Sequence, residues 1–183
     1  MTLSTEAASR FIQYLGWLLE ESKDGRASMA NLRRGLGKPA AMAYEMDRHI
    51  LPRLPEGASA KQEEAYYLVA ALFAYWHQGK DKAEDGEGNL GRSLRHLAER
   101  YIADGVSPDE AEKRLEKRLN ALLSAHSDDL PKHLRHIIGL LKSKDVPLNW
   151  LRLLCDVQNW DAENRFAQHA WAKGFWVAPI KKT

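Results

Sequence analysis

The chain has 183 residues, 44% hydrophobic and 28% charged, enough for one domain or two small ones with a buried core. Its 27 Lys and Arg nearly balance 25 Asp and Glu, for a net charge of +2 and a mean hydropathy of −0.51, so it is not a basic protein overall. No stretch approaches the ~18 apolar residues of a membrane span, and the start, Met1–Glu6, lacks the basic and apolar regions of a signal peptide. The single Cys155 excludes an internal disulfide and a multi-cysteine zinc site and fits a reducing compartment, so a cytoplasmic location is expected.

Helical periodicity runs through the chain. Ser4 or Thr5 is positioned to cap a first helix running to about Ser22, with Phe11, Leu15, Leu18 and Leu19 on one face. Lys23-Asp24-Gly25 breaks it, and a short helix from about Ala27 to Gly35 carries the pair Arg33-Arg34. Pro39 fits the first turn of a helix passing through Met42, Met46 and Ile50 to Pro52. Residues 60–78 read as an amphipathic helix, with Ala65, Leu68, Val69, Leu72, Phe73 and Trp76 at i, i+3, i+4, i+7 spacing. The glycine-rich, acidic stretch Gly79 to Gly88 reads as a mobile surface loop, and Asn89 caps a helix bearing Leu90, Leu94, Leu97 and Tyr101.

Gly105 stops that helix, and Ser107-Pro108-Asp109-Glu110 starts another with a capping box. The predicted division is therefore a helical domain over residues 1–105 and a four-helix bundle over 106–183. The bundle's four helices carry Leu115/Leu119/Leu122/Leu123, then Leu130/Leu134/Ile137/Ile138/Leu141, then Trp150/Leu151/Leu154 after Pro147, and last Phe166/Ala170/Trp171/Phe175 after an Asp161 cap. No segment alternates with period two, so the fold class is all-α.

Seven His invite a metal reading. His133 and His136, or His96 and Glu99, could each supply two ligands, but a stable site needs three or four and no matching pair stands out; neither a metal nor a cofactor is expected. Cys155, among Leu151, Leu154 and Val157, reads as a packed thiol. Asp128-Asp129 reads as a cap. The Trp-rich tail (Trp150, Trp160, Trp171, Trp176) could stack bases, but Trp171 and Phe175, four apart, favour core. No nucleophile elbow, phosphate-binding loop or dinucleotide fingerprint is present.

Basic residues recur at helical spacing, at Arg92/Arg95, Arg114/Arg118 and Lys132/Arg135/Lys142. Glu110, Glu112 and Glu116 interleave with the second group, where intrahelical ion pairs are the simpler reading. Around Arg26, Arg33, Arg34 and Lys38 only Asp24 is near, and Gly35 and Gly37 leave room for a backbone to approach, so phosphate contact by Arg33 and Arg34 is favoured. From these residues alone a helical metal-dependent enzyme and a helical protein–protein adaptor stay open.

The run Arg26-Ala27-Ser28-Met29-Ala30-Asn31-Leu32-Arg33-Arg34-Gly35-Leu36 resembles the opening of the small subunit of the type I-E CRISPR surveillance complex, Cascade (the CasB family). The order of later motifs is similar too: Leu72-Phe73-Ala74, Asn89-Leu90-Gly91-Arg92-Ser93-Leu94, Arg118-Leu119-Asn120-Ala121-Leu122-Leu123, Leu134 to Ser143, Val146 to Trp150, and Trp171 to Trp176. The likeness spans about residues 10–176. It implies an all-helical, non-enzymatic subunit of an antiviral complex, present in two copies head to tail beside the backbone and large subunits. Such a subunit helps hold guide RNA and the target and displaced DNA strands of the R-loop. Carried over, the backbone-binding candidates are Arg26, Arg33, Arg34, Arg92, Arg118, Arg135 and Lys142. Two departures stand out: the 79–88 loop is acidic and is expected to face away from nucleic acid, and position 136 is His where Arg would bind phosphate more strongly.

Overall fold

The computed structural model describes residues 3–177. Among them are nine α-helices, a few 3-10 turns and no strand, the all-α class that the periodicity predicts. The chain forms two compact units, residues 1–84 with 150–158 and residues 85–149 with 159–183. The division falls at 84/85, not at the predicted 105/106, because the helix that starts at Leu90 packs on helices that follow it.

The first unit contains α1 (Leu3–Glu20), α2 (Gly25–Arg34), α3 (Asp47–Ile50) and α4 (Ala60–Trp76). The first helix begins ahead of the expected Ser4/Thr5 cap. Ser59 caps α4 in a capping box with Gln62. The stretch read as amphipathic is more deeply buried than that: Ala65, Tyr66, Tyr67, Val69, Ala70, Ala71, Leu72, Phe73, Ala74 and Trp76 are all buried. Burial on nearly every side marks a central helix, around which Phe11, Leu15, Leu18, Met29 and Leu32 of α1 and α2 contribute core side chains. The helix expected from Pro39 to Pro52 is instead a chain of short turns, 3-10 at Ala40–Met42, Tyr44–Met46 and Leu51–Arg53, with α3 between them. Met42, Tyr44 and Leu51 are exposed in it while Ala43, Met46 and Ile50 are buried. A tight three-residue repeat suits that sparse pattern better than a continuous helical stripe.

The 79–88 segment, expected to be mobile, is tied down up to Gly86. His77, 2% exposed, sits with Nδ1 2.9 Å from the Phe73 carbonyl, and its Nε2 accepts from the Glu84 N–H at 3.0 Å. The Nε2 acceptor role places the ring proton on Nδ1, which donates to Phe73. Burial pushes the His77 pKa down to about 4, so the ring is neutral at pH 7. Lys80 lies 4.0 Å over the Trp76 ring and pairs with Glu84 at 2.6 Å, and the Ala83 N–H donates to Glu20 at 2.7 Å. The Trp150 indole N–H donates to the Glu84 carbonyl at 3.2 Å, and its ring meets Phe73 edge-on at 5.2 Å. Trp150 opens α8 (Trp150–Gln158), three residues after the predicted start at Pro147. These contacts make α8 part of the first unit.

The second unit has four helices, as expected of a bundle, but they are α5 (Leu90–Ala103), α6 (Pro108–Leu123), α7 (Leu130–Ser143) and α9 (Phe166–Trp176). The close pair is α5 and α9. A Cβ on Gly91 would overlap the Trp171 carbonyl oxygen, and one on Gly174 would overlap Asn89 Oδ1. Asn89 accepts from the Arg92 N–H at 3.1 Å, capping α5, and donates to the Ala170 carbonyl at 2.9 Å. Trp160, Trp171 and Phe175 are buried, Trp160 and Trp171 with ring centroids 5.0 Å apart. Ser107 caps α6 by accepting from the Glu110 N–H. Asp129, at the N-cap of α7, makes no side-chain capping bond, and α9 starts at Phe166, too late for the expected Asp161 cap. In that turn Arg165 takes a left-handed backbone conformation, φ 47°.

Candidate nucleic-acid interface

In the first unit the basic groups belong to α2. Ser28, Met29 and Leu32 turn into the core, which sets Arg26 and Arg34 in solvent and Arg33 half-buried between them. Arg33 and Arg34 occupy the last turn, where a positive charge complements the carbonyl end of the helix. Arg34 donates to Asn31 Oδ1 at 3.1 Å; neither Arg26 nor Arg33 meets a carboxylate among the described residues. The nearby acid Glu45 is engaged by its own backbone N–H and by Lys38 at 3.5 Å, and its pKa is lowered accordingly. Gly35 does not leave room for a ligand: a Cβ there would overlap Met46 Sδ, so its space is filled by the protein's own methionine.

In the second unit Arg92 lines an open cleft of about 370 Å³ with His96, Glu99, Arg100, Ala103, Val146 and Pro147. Arg92, His96 and Arg100 follow one another every four residues on α5, so the two guanidiniums start about 12 Å apart along the helix. Val146 is buried and gives the cleft an apolar side. Arg95, grouped with Arg92 by spacing, is a structural residue: 7% exposed, with Nη1 3.8 Å from Glu112. One residue in three or four turns inward on a helix packed along one face, and position 95 falls on that face beside Leu94 and Ala98.

Arg118 of α6 reaches across to α7, donating from Nε to His136 Nε2 at 3.0 Å and from Nη1 to the Arg114 carbonyl at 2.6 Å. The first bond needs an unprotonated Nε2. Arg114 is held by Glu110, the ion pair expected of that stripe. Arg135 is exposed and meets no carboxylate among the described residues, and Lys142 is half-buried near the end of α7. The structure thus gathers Arg118 with His136, and Arg92 with Arg100. Arg26, Arg33 and Arg34 form a separate group on α2. None of the six arginine candidates is locked into an ion pair among the described residues.

Sequence reasoning missed Arg100 as a site residue and considered His96 and Glu99 only as metal ligands. The signal was present as the eight-residue repeat from Arg92. Among the described residues no group of three or more His, Cys, Asp or Glu side chains is placed to hold a metal. Cys155 is half-buried, and burial raises its pKa, which disfavours the reactive thiolate.

The chain matches a family described as "CRISPR-associated protein Cse2" over residues 28–176. It is 32% identical over 170 residues to the CRISPR-associated protein Cse2 of Thermus thermophilus, covering 91% of this chain and 89% of that one. The crystal structure of the Cse2-family protein from the same organism superposes with a TM-score of 0.76 at 28% identity, covering 93% of this chain and 98% of that chain. A chain of a CRISPR RNA-guided surveillance complex superposes with a TM-score of 0.75 at 25% identity, covering 93% and 92%.

Proposed function

The chain belongs to the CRISPR-associated Cse2 family, and from that membership we propose that it is the non-catalytic small subunit of a Cascade-type RNA-guided surveillance complex, acting in the cytoplasm in antiviral defence. Its partners are guide RNA, the target and displaced DNA strands, the backbone and large subunits of the complex, and a second copy of itself. It contacts sugar-phosphate backbones through Arg26, Arg33, Arg34, Arg92, Arg118, Arg135 and Lys142. The observation that carries this reading is the pair Arg33–Arg34. The two are consecutive in the last turn of α2 and neither is in an ion pair among the described residues, inside the stretch matched to the family.

The physics suits the role. Guide pairing supplies the sequence reading, and exchanging a DNA duplex for an RNA–DNA one is nearly balanced in free energy, so a few backbone contacts suffice to tip it. Arginine keeps its charge at any physiological pH and grips phosphate with two parallel N–H groups. Helices hold those forks at fixed intervals, and a net charge of only +2 keeps the free subunit from binding nucleic acid strongly by itself.

The test is assembly. Tagged chain expressed in its host is expected to recover a particle containing short guide RNAs and other protein subunits. A particle rebuilt without it is expected to hold an open target duplex less long. Recovery of the chain free of RNA, or an R-loop of equal lifetime without it, would overturn the proposal.

A further inference from the structure

Four of the six tryptophans, Trp76, Trp150, Trp160 and Trp171, are buried, whereas Trp17 on α1 is 47% exposed. It is not an isolated surface indole. Tyr14, one turn earlier, lies with its ring centroid 5.9 Å from that of Trp17 and the planes 26° apart. Tyr14 is itself fixed. Arg53 Cζ stands 3.3 Å from its ring centroid, and Tyr14 Oη is 2.9 Å from His49 Nδ1. Arg48 Nε donates to His49 Nε2 at 3.0 Å, which leaves the His49 proton on Nδ1 to donate to Tyr14. Arg53 also donates to the His49 carbonyl at 3.1 Å. His49 is buried, and burial followed by the charges of Arg48 and Arg53 lowers its pKa, which keeps the ring neutral and this network intact at pH 7.

The outcome is a pre-organised aromatic pair in which Trp17 is about half exposed, Arg53 lies over Tyr14 and Arg48 is held on the His49 that bonds Tyr14. Neither Arg48 nor Arg53 meets a carboxylate among the described residues, and the adjacent acid Asp47 is turned away to accept from Tyr67 Oη at 2.6 Å. A flat apolar face flanked by unneutralised, rigid cations matches one kind of ligand chemistry on two counts. An unpaired nucleic-acid strand offers π-faces and negative charge together.

We propose that Trp17, buttressed by Tyr14 and Arg53, is a stacking platform for a base of an unpaired strand, with the exposed Arg48 reaching a neighbouring phosphate. The contact tolerates any base, because every base has a π-face. It rests on the nucleic-acid role proposed above but not on the backbone contacts of Arg33 and Arg34.

The experiment measures binding of the full chain at low salt to an oligothymidylate and to an abasic strand of equal length, which carries the same phosphates without bases. Wild type is expected to prefer the base-bearing strand by about tenfold, the effect of one stacked base. Trp17→Ala is expected to remove that preference while leaving abasic binding and thermal unfolding unchanged. Trp17→Phe, which keeps an aromatic face, is expected to retain most of the preference but to lose part of the tryptophan quenching seen on binding. Arg33→Ala with Arg34→Ala is expected to weaken both strands alike. Equal wild-type affinity for the two strands, or a Trp17→Ala effect that is absent or the same on both, overturns the platform. So does loss of Trp17→Ala from the assembled particle with strand binding intact, which would assign the indole to a protein contact. If only the arginine variant behaves as wild type, the α2 backbone contact falls and the platform stands.

Discussion

The pH dependence of stability should be dominated by His77. The ring is buried, its Nδ1–H donates to Phe73, its Nε2 accepts from Glu84, and its pKa is about 4 against 6.5 for the unfolded chain. A group that binds its proton more readily when unfolded stabilises the fold fully above the unfolded pKa, and that contribution is lost as pH falls through the folded pKa. The shift corresponds to about 3 kcal/mol in all, of which about 2 kcal/mol is gone by pH 5. The perturbation is His77→Leu, which abolishes the titration. Urea unfolding of both proteins between pH 7 and pH 4.5 gives the difference in stability at each pH. The wild-type advantage should shrink by about 2 kcal/mol between pH 7 and pH 5. His49, with its pKa also lowered, titrates in both proteins and cancels in the difference. A difference that stays flat with pH, or an NMR titration of His77 with a midpoint near the unfolded value, would refute the reasoning.

Gly91→Ala places a methyl group against the Trp171 carbonyl, backbone that cannot swing aside, and should cost about 3 kcal/mol, a fall of roughly 10 °C in Tm by calorimetry. Ser107→Ala removes the cap of α6 and should cost about 1 kcal/mol, whereas Asp129→Ala, at an N-cap whose side chain makes no capping bond, should cost far less in the same denaturation assay. Arg100→Ala should lower the slope of log affinity against log salt for a single strand by about 0.7, the loss of one phosphate contact, with no change in Tm.

What was legible in the sequence was local. Trp171 and Phe175, four residues apart, gave away a buried face, and Asn89 and Ser107 marked helix starts that the backbone bears out. Which helix would choose which partner was not legible. Allegiance of α8 to the first unit depends on Trp150 finding Phe73 and the Glu84 carbonyl, far away in sequence. Pairing of α5 with α9 depends on Gly91 and Gly174, whose meaning appears only when two backbones touch. Spacing also misled where a charge turned inward: Arg95 shares the rhythm of Arg92 yet lies in the core with Glu112. Glycine and acidic residues made 79–88 read as mobile, although His77 and Trp150 pin it through the Glu84 N–H and carbonyl and the Lys80 ammonium lies over the Trp76 ring, contacts that no composition reveals. The stripes were otherwise informative, since Arg114 is paired with Glu110 as its interleaved acids imply, and Arg33, with only Asp24 near it in sequence, is in no ion pair among the described residues.

The measurement closest to the central claim is the lifetime of the R-loop held by the assembled complex, followed across salt concentrations, with wild-type chain and with Arg33→Ala plus Arg34→Ala. Two lost phosphate contacts should shorten the lifetime, and the salt slope of log target affinity measured alongside should flatten by roughly 1.4, twice the single-strand value per contact. An unchanged lifetime and slope, from a variant that folds and assembles normally, would contradict the account.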